Sequence, residues 1–210
     1  TVLIAEIKPK SPSGGVLYGG NLLELDKTYQ SAGANAISVL TDKKFFGGSP
    51  ELLQEIKKII KVPILRKEFI ISQVQLVESL LLGADAVLLI ARILKFSQLK
   101  KLIDFSLVLG LAPVVEVFSE KDLRVALGAG AQIIGINSRD IQTLKINEDQ
   151  ALRVLKKIPN NVISLFFSGI KTQQDVQRAT NAGAKGVLVG TALLQAKDPA
   201  EKIKDLKRKL

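Results

Sequence analysis

The chain has 210 residues, of which 47% are hydrophobic and 24% charged, which is enough for one large domain or two small ones with a sizeable core. It contains neither cysteine nor histidine, which excludes disulfides, thiolate metal sites, a cysteine nucleophile and a histidine general base. The net charge of +10 favours an anionic partner, but no basic stripe is interleaved with aromatic residues, so we expect a small anionic substrate and no nucleic acid.

Membrane and targeting signals are not visible in the sequence. It lacks the run of about eighteen apolar residues that a spanning helix needs, and it shows no signal peptide. We therefore predict a cytoplasmic protein with no membrane partner. No exposed apolar helix face is evident, which favours a monomer. The chain starts at Thr1 and runs straight into an apolar strand, so we expect a single domain over residues 1–210 that is truncated at its N-terminus.

An internal repeat marks four places along the chain. In each, a helix ends at a glycine and a fully apolar strand follows. The repeat segments are 32–40, 82–90, 129–137 and 182–190. Their spacing is about twice the length of one strand–helix unit, so each interval should hold a second strand. These second strands are predicted at Val2–Ile7, Pro63–Arg66, Pro113–Val117 and Val162–Phe166.

Helical periodicity fills the spaces between the eight predicted strands. Ser49-Pro50 and Ser119-x-x-Asp122 are typical helix starts. The predicted helices are Leu22–Ala32, Glu51–Ile60, Gln73–Leu82, Ser97–Leu109, Glu120–Leu127, Glu148–Lys157, Gln173–Ala182 and Ala200–Leu210. Strands that are apolar on both faces and alternate with helices eight times predict a single-domain α/β protein, a closed parallel (β/α)8 or TIM barrel. An open doubly wound sheet is the alternative.

The segment 9–20 is irregular and rich in Gly, Pro and Ser. It follows the first strand and is too long for a simple connection between strand and helix. Because every loop after a strand faces the active site of such a barrel, we interpret it as a mobile lid. A flexible connector is the alternative.

Polar side chains end several otherwise apolar strands. They are Glu6, Lys8, Lys67, Glu116 and Asn137. In a barrel the carboxyl ends of the strands meet at one mouth, where the active site lies. A glutamate inside an apolar strand is costly unless it is paired or solvated in a pocket, which makes Glu116 a site candidate. Lys67 can serve as a proton donor if carboxylates keep it charged, or as a Schiff-base nucleophile if it is desolvated.

Small residues end the seventh and eighth strands. Ser168-Gly169 and Gly190-Thr191 each lie ahead of a predicted helix, where backbone N–H groups commonly hold a phosphate in this architecture. Phe46, Phe69 and Leu88, with Pro12, form a candidate apolar slot for a flat ring; core packing is the alternative for these side chains.

The strand-end motifs resemble those of the indole-3-glycerol phosphate synthase family. The resemblance extends over nearly the whole chain, and the family's helical N-terminal extension is missing ahead of Thr1. The matching stretches are Ile4-Ala5-Glu6-Ile7-Lys8, Lys10-Ser11-Pro12-Ser13, Ile37-Ser38-Val39-Leu40-Thr41, Phe46-x-Gly48-Ser49, Leu65-Arg66-Lys67-Glu68-Phe69-Ile70, Val114-Val115-Glu116-Val117 and Ile134-Gly135-Ile136-Asn137-Ser138-Arg139-Asp140.

The resemblance implies a carboxy-lyase of tryptophan biosynthesis that needs no cofactor or metal. The reaction is ring closure, decarboxylation and dehydration of 1-(2-carboxyphenylamino)-1-deoxyribulose 5-phosphate to indole-3-glycerol phosphate. It implies that Lys67 is the general acid on the carbonyl oxygen and that Glu116 assists the dehydration. Glu6 and Asn137 would orient hydroxyl groups, and Lys8 would pair with Glu6 and contact an anionic part of the substrate.

The resemblance also assigns the binding residues. Ser11 and Arg139 would contact the carboxylate side of the substrate. The phosphate would lie against Ser168, Gly169, Gly190 and Thr191, and the aromatic ring against Phe46, Phe69 and Leu88.

Three positions depart from the family pattern. Glu68 stands where the family has aspartate, and Phe118 where it commonly has histidine. Phe167 stands where it has a glutamate of the polar constellation, so Lys67 should lose one partner that helps keep it charged. One alternative to an active synthase is therefore a barrel that binds phosphate ligands but is impaired in catalysis, being engineered, truncated or degenerate. Another is an isomerase or aldolase that uses Lys67 as a Schiff base.

Overall fold

A computed structural model describes residues 1–11, 15–140 and 143–208. The strands are β1 Val2–Ile7, β2 Lys10–Ser11, β3 Gly15–Val16, β4 Ala36–Leu40, β5 Ile64–Lys67, β6 Ala86–Ile90, β7 Ala112–Val117, β8 Ile133–Asn137, β9 Ile163–Phe167 and β10 Gly186–Val189. The helices are α1 Leu22–Ser31, α2 Lys43–Phe46, α3 Pro50–Ile59, α4 Gln73–Leu81, α5 Phe96–Val108, α6 Glu120–Gly128, α7 Glu148–Leu155, α8 Gln173–Asn181, α9 Thr191–Leu194 and α10 Pro199–Lys207, with a 3-10 turn at Ala91–Ile93.

Eight of these strands form a closed parallel barrel, in the order β1-β10-β9-β8-β7-β6-β5-β4. The ring closes where β10 pairs with β1, with Val2 opposite Gly186 and Ala5 opposite Val189. The predicted (β/α)8 barrel is confirmed, and the open doubly wound sheet is excluded because that sheet would leave two edges unpaired. Asp26 and Tyr29 of α1 lie in the layer between helices and strands, together with most of the buried apolar side chains.

Successive side chains of a strand point to opposite faces, which decides what reaches the barrel mouth. The interior is filled by apolar residues from alternate positions: Ile4, Leu65, Leu88, Ile90, Val114, Leu165, Phe167 and Leu188. Two residues after Ile4, Leu65 and Val114, the same inward positions are Glu6, Lys67 and Glu116. The strand periodicity therefore brings the charged groups together above an apolar floor.

Two strands begin one residue later than predicted. Pro63 has no N–H to donate, although its carbonyl oxygen accepts from Ile37 N–H at 2.9 Å, so β5 begins at Ile64. The N–H of Val162 donates to Pro159 O at 3.0 Å in a turn, so β9 runs from Ile163 to Phe167. This shift includes Phe167 in the strand, on the inward face.

Helix starts agree with the predicted capping residues. Ser49 Oγ accepts from Leu52 N–H at 3.2 Å, and Pro50 follows at the first helical position. Ser119 and Asp122 form a capping box. The last helix begins earlier than predicted, at Pro199 after the cap Asp198, and its predicted end lies outside the described residues.

The segment expected to act as a lid contains a short hairpin. Lys10 pairs with Val16 and Ser11 with Gly15, and the N–H of Leu17 donates to Pro9 O at 2.8 Å. Pro12 lies outside the described residues, as do Ser13 and Gly14. The hairpin gives the segment more order than a flexible connector, while its movement as a lid stays a prediction.

One helix face contradicts the premise of the monomer prediction. α4 exposes Val74 by 78% and Leu81 by 76%, with Val77 on the same side. The buried residues of α4 are Leu76 and Ser79, so its buried face lies at one edge of its apolar side, which a helical pattern alone does not show. In the described part of the chain, no helix is both long and apolar enough to cross a bilayer.

Candidate active site

A cavity of about 720 Å³ opens at the carboxyl ends of the barrel strands. It is lined by predicted site residues from all eight barrel strands or the segments after them: Glu6, Lys8, Phe46, Lys67, Phe69, Leu88, Glu116, Asn137, Arg139, Ser168, Gly169, Gly190 and Thr191. The backbone of Ser11 is in β2, but its side chain lies outside the described part. The apolar floor and charged rim suit a ligand with a flat ring and anionic ends.

Glu6 is the centre of the charged cluster. Its Oε2 lies 2.9 Å from Lys67 Nζ and its Oε1 lies 3.0 Å from Lys8 Nζ. Burial alone would raise the pKa of Glu6, but the two ammonium groups outweigh burial and lower it to about 2. Glu6 is therefore ionised at neutral pH. Gly190 makes room for it, since a Cβ there would lie 2.6 Å from Glu6 Oε1.

Lys67 ends β5 and points into the mouth. Burial lowers the pKa of its amine, but the carboxylates of Glu6 and Glu116 outweigh that effect, so the net pKa is raised. The predicted loss of a charge-keeping partner is thus compensated by two remaining carboxylates. The Phe167 ring also faces the ammonium, with its centroid 5.3 Å from Nζ. Lys67 is held as a cation.

Glu116 differs from Glu6 in the direction of its pKa shift. Burial raises its pKa, and the opposing influence of the Lys67 charge and of a hydrogen bond with Asn137 does not cancel that rise. Its Oε2 is buried without a hydrogen-bond partner among the described residues. The Oδ1 atom of Asn137 accepts from Arg139 N–H at 3.0 Å, which fixes the amide. Two carboxyl groups close to one lysine therefore differ in proton affinity, as expected where one stabilises charge and the other transfers protons.

Backbone geometry distinguishes the predicted phosphate end. Ser168 and Gly169 have successive positive φ angles of 66° and 82°. Ser168 is a non-glycine residue in the left-handed region, a conformation that costs energy and is common at ligand sites. Thr191 begins α9 directly after Gly190. These four residues line the cavity where the neighbouring strands β9 and β10 end.

The aromatic slot combines two phenylalanines with an aliphatic floor. The ring centroids of Phe46 and Phe69 lie 6.4 Å apart with an interplanar angle of 33°. Leu88 is buried beneath the mouth in the inner apolar cluster. Pro12, the fourth residue expected here, lies outside the described residues.

Arg66, next to the catalytic candidate, points the other way. It is only 2% exposed and lies between β5 and α4. Its guanidinium donates to Glu78 Oε2 at 2.7 Å, Ser79 Oγ at 3.0 Å and Thr41 Oγ1 at 3.1 Å. The hydroxyl of Thr41 then donates to Glu68 Oε2 at 2.6 Å. Arg66 and Glu68, the residue that differs from the family pattern, therefore anchor the end of β5 that presents Lys67.

A second arginine joins the segments that follow β6, β7 and β8. Arg92 donates to Asp122 Oδ2 at 3.0 Å and to Asp140 Oδ2 at 2.9 Å. Its guanidinium carbon lies 4.6 Å from the ring centroid of Phe118, so this departure from the family pattern has a structural role beside Arg92. Arg139 is held by a 2.9 Å hydrogen bond to Leu144 O.

Sequence reasoning missed cavity residues from the end of the chain. Lys202 of α10 lines the cavity, as do Lys171 and Gln195. Lys202 looked like one of many surface lysines because nothing in a helical pattern shows which face meets a strand end. Among residues 1–11, 15–140 and 143–208, no group of three or more acidic side chains is arranged to hold a metal ion.

Comparison with known proteins agrees with this geometry. The family model described as indole-3-glycerol phosphate synthase matches residues 1–206. A protein named indole-3-glycerol phosphate synthase from Aquifex aeolicus is 43% identical over 208 residues, covering 98% of this chain and 81% of the relative. One of the same name from Caldanaerobacter subterraneus is 44% identical over 194 residues, covering 92% and 75%.

A solved structure, 3-hexulose-6-phosphate synthase from Salmonella typhimurium, superposes with a TM-score of 0.79 at 18% identity, covering 98% of this chain and 96% of that one; this likeness concerns the fold alone. The family model and the curated relatives identify more than the fold. The chain belongs to the indole-3-glycerol phosphate synthase family.

Proposed function

We propose that the chain converts 1-(2-carboxyphenylamino)-1-deoxyribulose 5-phosphate into indole-3-glycerol phosphate, carbon dioxide and water. The observation that carries the proposal is the buried Lys67–Glu6 ion pair at the barrel mouth, with Glu116 beside it. The pair offers an acid that is charged at neutral pH, close to a second carboxyl group that can hold a proton.

Lys67 is the general acid of the first step. Its Nζ proton goes to the carbonyl oxygen of the substrate as the aromatic carbon that carries the carboxyl group attacks the carbonyl carbon. A carbon–carbon bond forms, the carbonyl oxygen becomes a hydroxyl, and loss of carbon dioxide restores the aromatic ring. The carboxylates of Glu6 and Glu116, which raise the pKa of Lys67, keep the donor charged until the step occurs.

The second step removes water from the closed ring. The new hydroxyl leaves with one added proton, and one proton leaves the carbon next to the ring nitrogen, which completes the indole. Glu116 is suited to transfer a proton here because burial raises its pKa and its Oε2 has no partner in the described part of the chain. Asn137 orients Glu116 and, with Glu6, the substrate hydroxyls.

The remaining cavity residues bind the ends of the substrate. Lys8 adds positive charge beside Glu6. The phosphate lies against Ser168, Gly169, Gly190 and Thr191, and Arg139 with Ser11 meets the carboxylate side. Phe46, Phe69 and Leu88 pack on the aromatic ring. A cationic rim over an apolar slot matches a substrate that carries a phosphate and a benzoate.

The Schiff-base alternative is less well supported by this geometry. A lysine nucleophile must be a neutral amine, whereas two carboxylates raise the pKa of Lys67. The impaired-barrel alternative rested on Phe167 and on the missing N-terminal extension. Lys67 keeps Glu6 and Glu116 despite Phe167. We therefore favour an active synthase.

We also expect the enzyme to act in the cytoplasm on a free sugar phosphate, without nucleic acid. We expect it to be a monomer. Sedimentation at micromolar concentration tests this; a dimer would direct attention to the apolar face of α4.

The decisive experiment follows indole fluorescence after adding the anilino sugar phosphate. We expect turnover by the unmodified chain and a loss of kcat of at least about 100-fold in Lys67→Met, since general acid catalysis contributes about 100- to 10,000-fold. Lys100→Met, which changes an exposed lysine of α5, is the control. Absence of product from the unmodified chain, with product appearing in Phe167→Glu, would reject activity of the chain as it stands.

A further inference from the structure

The floor beneath the catalytic lysine is an aromatic ring. Lys67 enters the mouth from β5, and Phe167 enters from β9, which lies on the opposite side of the barrel in the strand order. Nζ of Lys67 lies 5.3 Å from the ring centroid. This distance is within the range of about 6 Å in which a cation is attracted to the ring face.

The ring has a fixed place in the barrel. Phe167 is fully buried in the inner apolar cluster, opposite Asn137 on β8 and Leu188 on β10. Gly135 on the neighbouring strand leaves the space that the ring fills, since a Cβ there would lie 2.2 Å from Phe167 Cε2. The side chain cannot move away from Lys67 in that direction without vacating a packed position.

Charged side chains also lie near the Lys67 ammonium. Glu6 holds Nζ from β1, with Lys8 on its other oxygen, and Glu116 acts from β7. The loop after β8 brings Arg139 and Asp140 to the cavity, where Leu144 and Arg92 hold them. Inward apolar neighbours come from β4, β6 and β10: Leu40, Leu88, Ile90 and Leu188.

We propose that Phe167 is a positioning residue for Lys67, whose ring face supports the charged ammonium from below and directs its proton toward the substrate side of the mouth. Without the ring, the flexible lysine stem would have an apolar space beneath it and could lose the alignment with Glu6. This inference rests on the proposed role of Lys67 as proton donor. It assigns to an apolar side chain a part in charge stabilisation.

The first test measures Lys67 itself, without substrate. In protein carrying 13C at lysine Cε, the Lys67 signal is assigned by its loss in Lys67→Arg. We expect ring-current displacement of its Hε resonances in the unmodified chain and loss of that displacement in Phe167→Leu. The midpoint of titration should fall by about half to one pH unit in Phe167→Leu, the shift expected when a cation–aromatic contact of this size is removed.

The second test is kinetic. We expect Phe167→Leu to lower kcat by about three- to tenfold with little change in KM, and to move the alkaline limb of the kcat/KM profile down by the same half to one pH unit. Phe167→Tyr, which keeps the ring face, should restore the unmodified alkaline limb. Leu165→Ala, one inward position deeper on the same strand, should lower stability while leaving the Lys67 titration unchanged.

Two outcomes would overturn the inference. One is an unchanged Lys67 titration and alkaline limb in Phe167→Leu. The other is an equal shift in Leu165→Ala, which would show a general effect of loosened packing. Because the nuclear magnetic resonance measurement needs no turnover, a chain that is inactive on the anilino substrate would reject the proposed function and still leave the Phe167–Lys67 contact open to test.

Discussion

Asp26 carries a proton that the folded protein needs. It is 0% exposed on the inner face of α1, and neither carboxylate oxygen has a hydrogen-bond partner within the described residues. Burial raises its pKa to about 8. The group is therefore neutral in the folded state at pH 7 and ionised in the unfolded state, where a pKa of about 3.9 applies.

The pH dependence of stability follows from that difference. Between about pH 4 and pH 8 the folded state binds more protons than the unfolded state, so the free energy of unfolding falls as pH rises, by a few kcal/mol in total. We expect this slope to be reduced in Asp26→Asn and Asp26→Ala, and the alanine variant to be the more stable, since it also removes the unpartnered polar group. Urea unfolding at several pH values checks both; an unchanged slope would contradict the assigned proton.

The space beside Phe167 leads to a second prediction about single residues. Gly135→Ala should destabilise the fold by about 1–3 kcal/mol, because its Cβ would overlap the ring. The cost should be much smaller in a Phe167→Leu background, where the ring is absent. A double-mutant cycle by urea unfolding measures this coupling, and additive costs would show that the two positions do not share the space.

At the scale of elements, β5 and α4 are joined through Arg66. One guanidinium reaches a carboxylate and a hydroxyl on α4, and a hydroxyl after β4 that in turn holds Glu68. Neighbouring residues of one strand thus serve different partners: Lys67 faces the mouth and Arg66 faces the helix. Because successive side chains of a strand point to opposite faces, the catalytic residue and the anchoring residue are only one position apart.

This anchoring predicts unequal effects for two similar substitutions. Glu78→Gln leaves the buried guanidinium of Arg66 with a weaker partner and should cost about 1–2 kcal/mol in the free energy of unfolding. Asp104→Asn, which weakens an exposed pair with Lys100, should cost less than about 0.5 kcal/mol. Denaturant titration of both variants is the measurement. Equal costs would mean that Arg66 does not depend on Glu78.

At the scale of the whole molecule, the net charge of +10 surrounds a site for an anionic substrate. Long-range attraction raises encounter rates and is screened by salt over about 8–10 Å at ordinary ionic strength. We expect kcat/KM to fall several-fold between about 20 and 300 mM salt while kcat changes little. Steady-state kinetics in sodium chloride, repeated in sucrose of matched osmolality, separate screening from a solvent effect; a flat salt profile would rule out steering.

Much of this architecture could be read from the sequence, for physical reasons. The glycine repeat and the doubly apolar strands are local signals, so the barrel was predictable. The grouping of the polar strand-end residues was predictable as well, because the carboxyl ends of all barrel strands meet at one mouth. Contacts between elements that are distant in the sequence were not predictable, because they depend on packing. Examples are the Phe167 ring beneath Lys67, the Arg66 side chain that points toward α4, and Lys202, which lines the cavity. The unpartnered Asp26 was missed because one acidic residue in a helix is ordinarily solvated.

The close approach of Gly190 to Glu6 has a consequence for how the enzyme is made. Gly190 follows β10, the last barrel strand in chain order, and Glu6 lies on the first, so their contact forms only after β10 has been synthesised. A chain released before β10 would carry Glu6, Lys67 and Glu116 yet leave β1 and β9 as open edges. Turnover therefore requires the final barrel strand, and a chain that ends before β10 should be inactive.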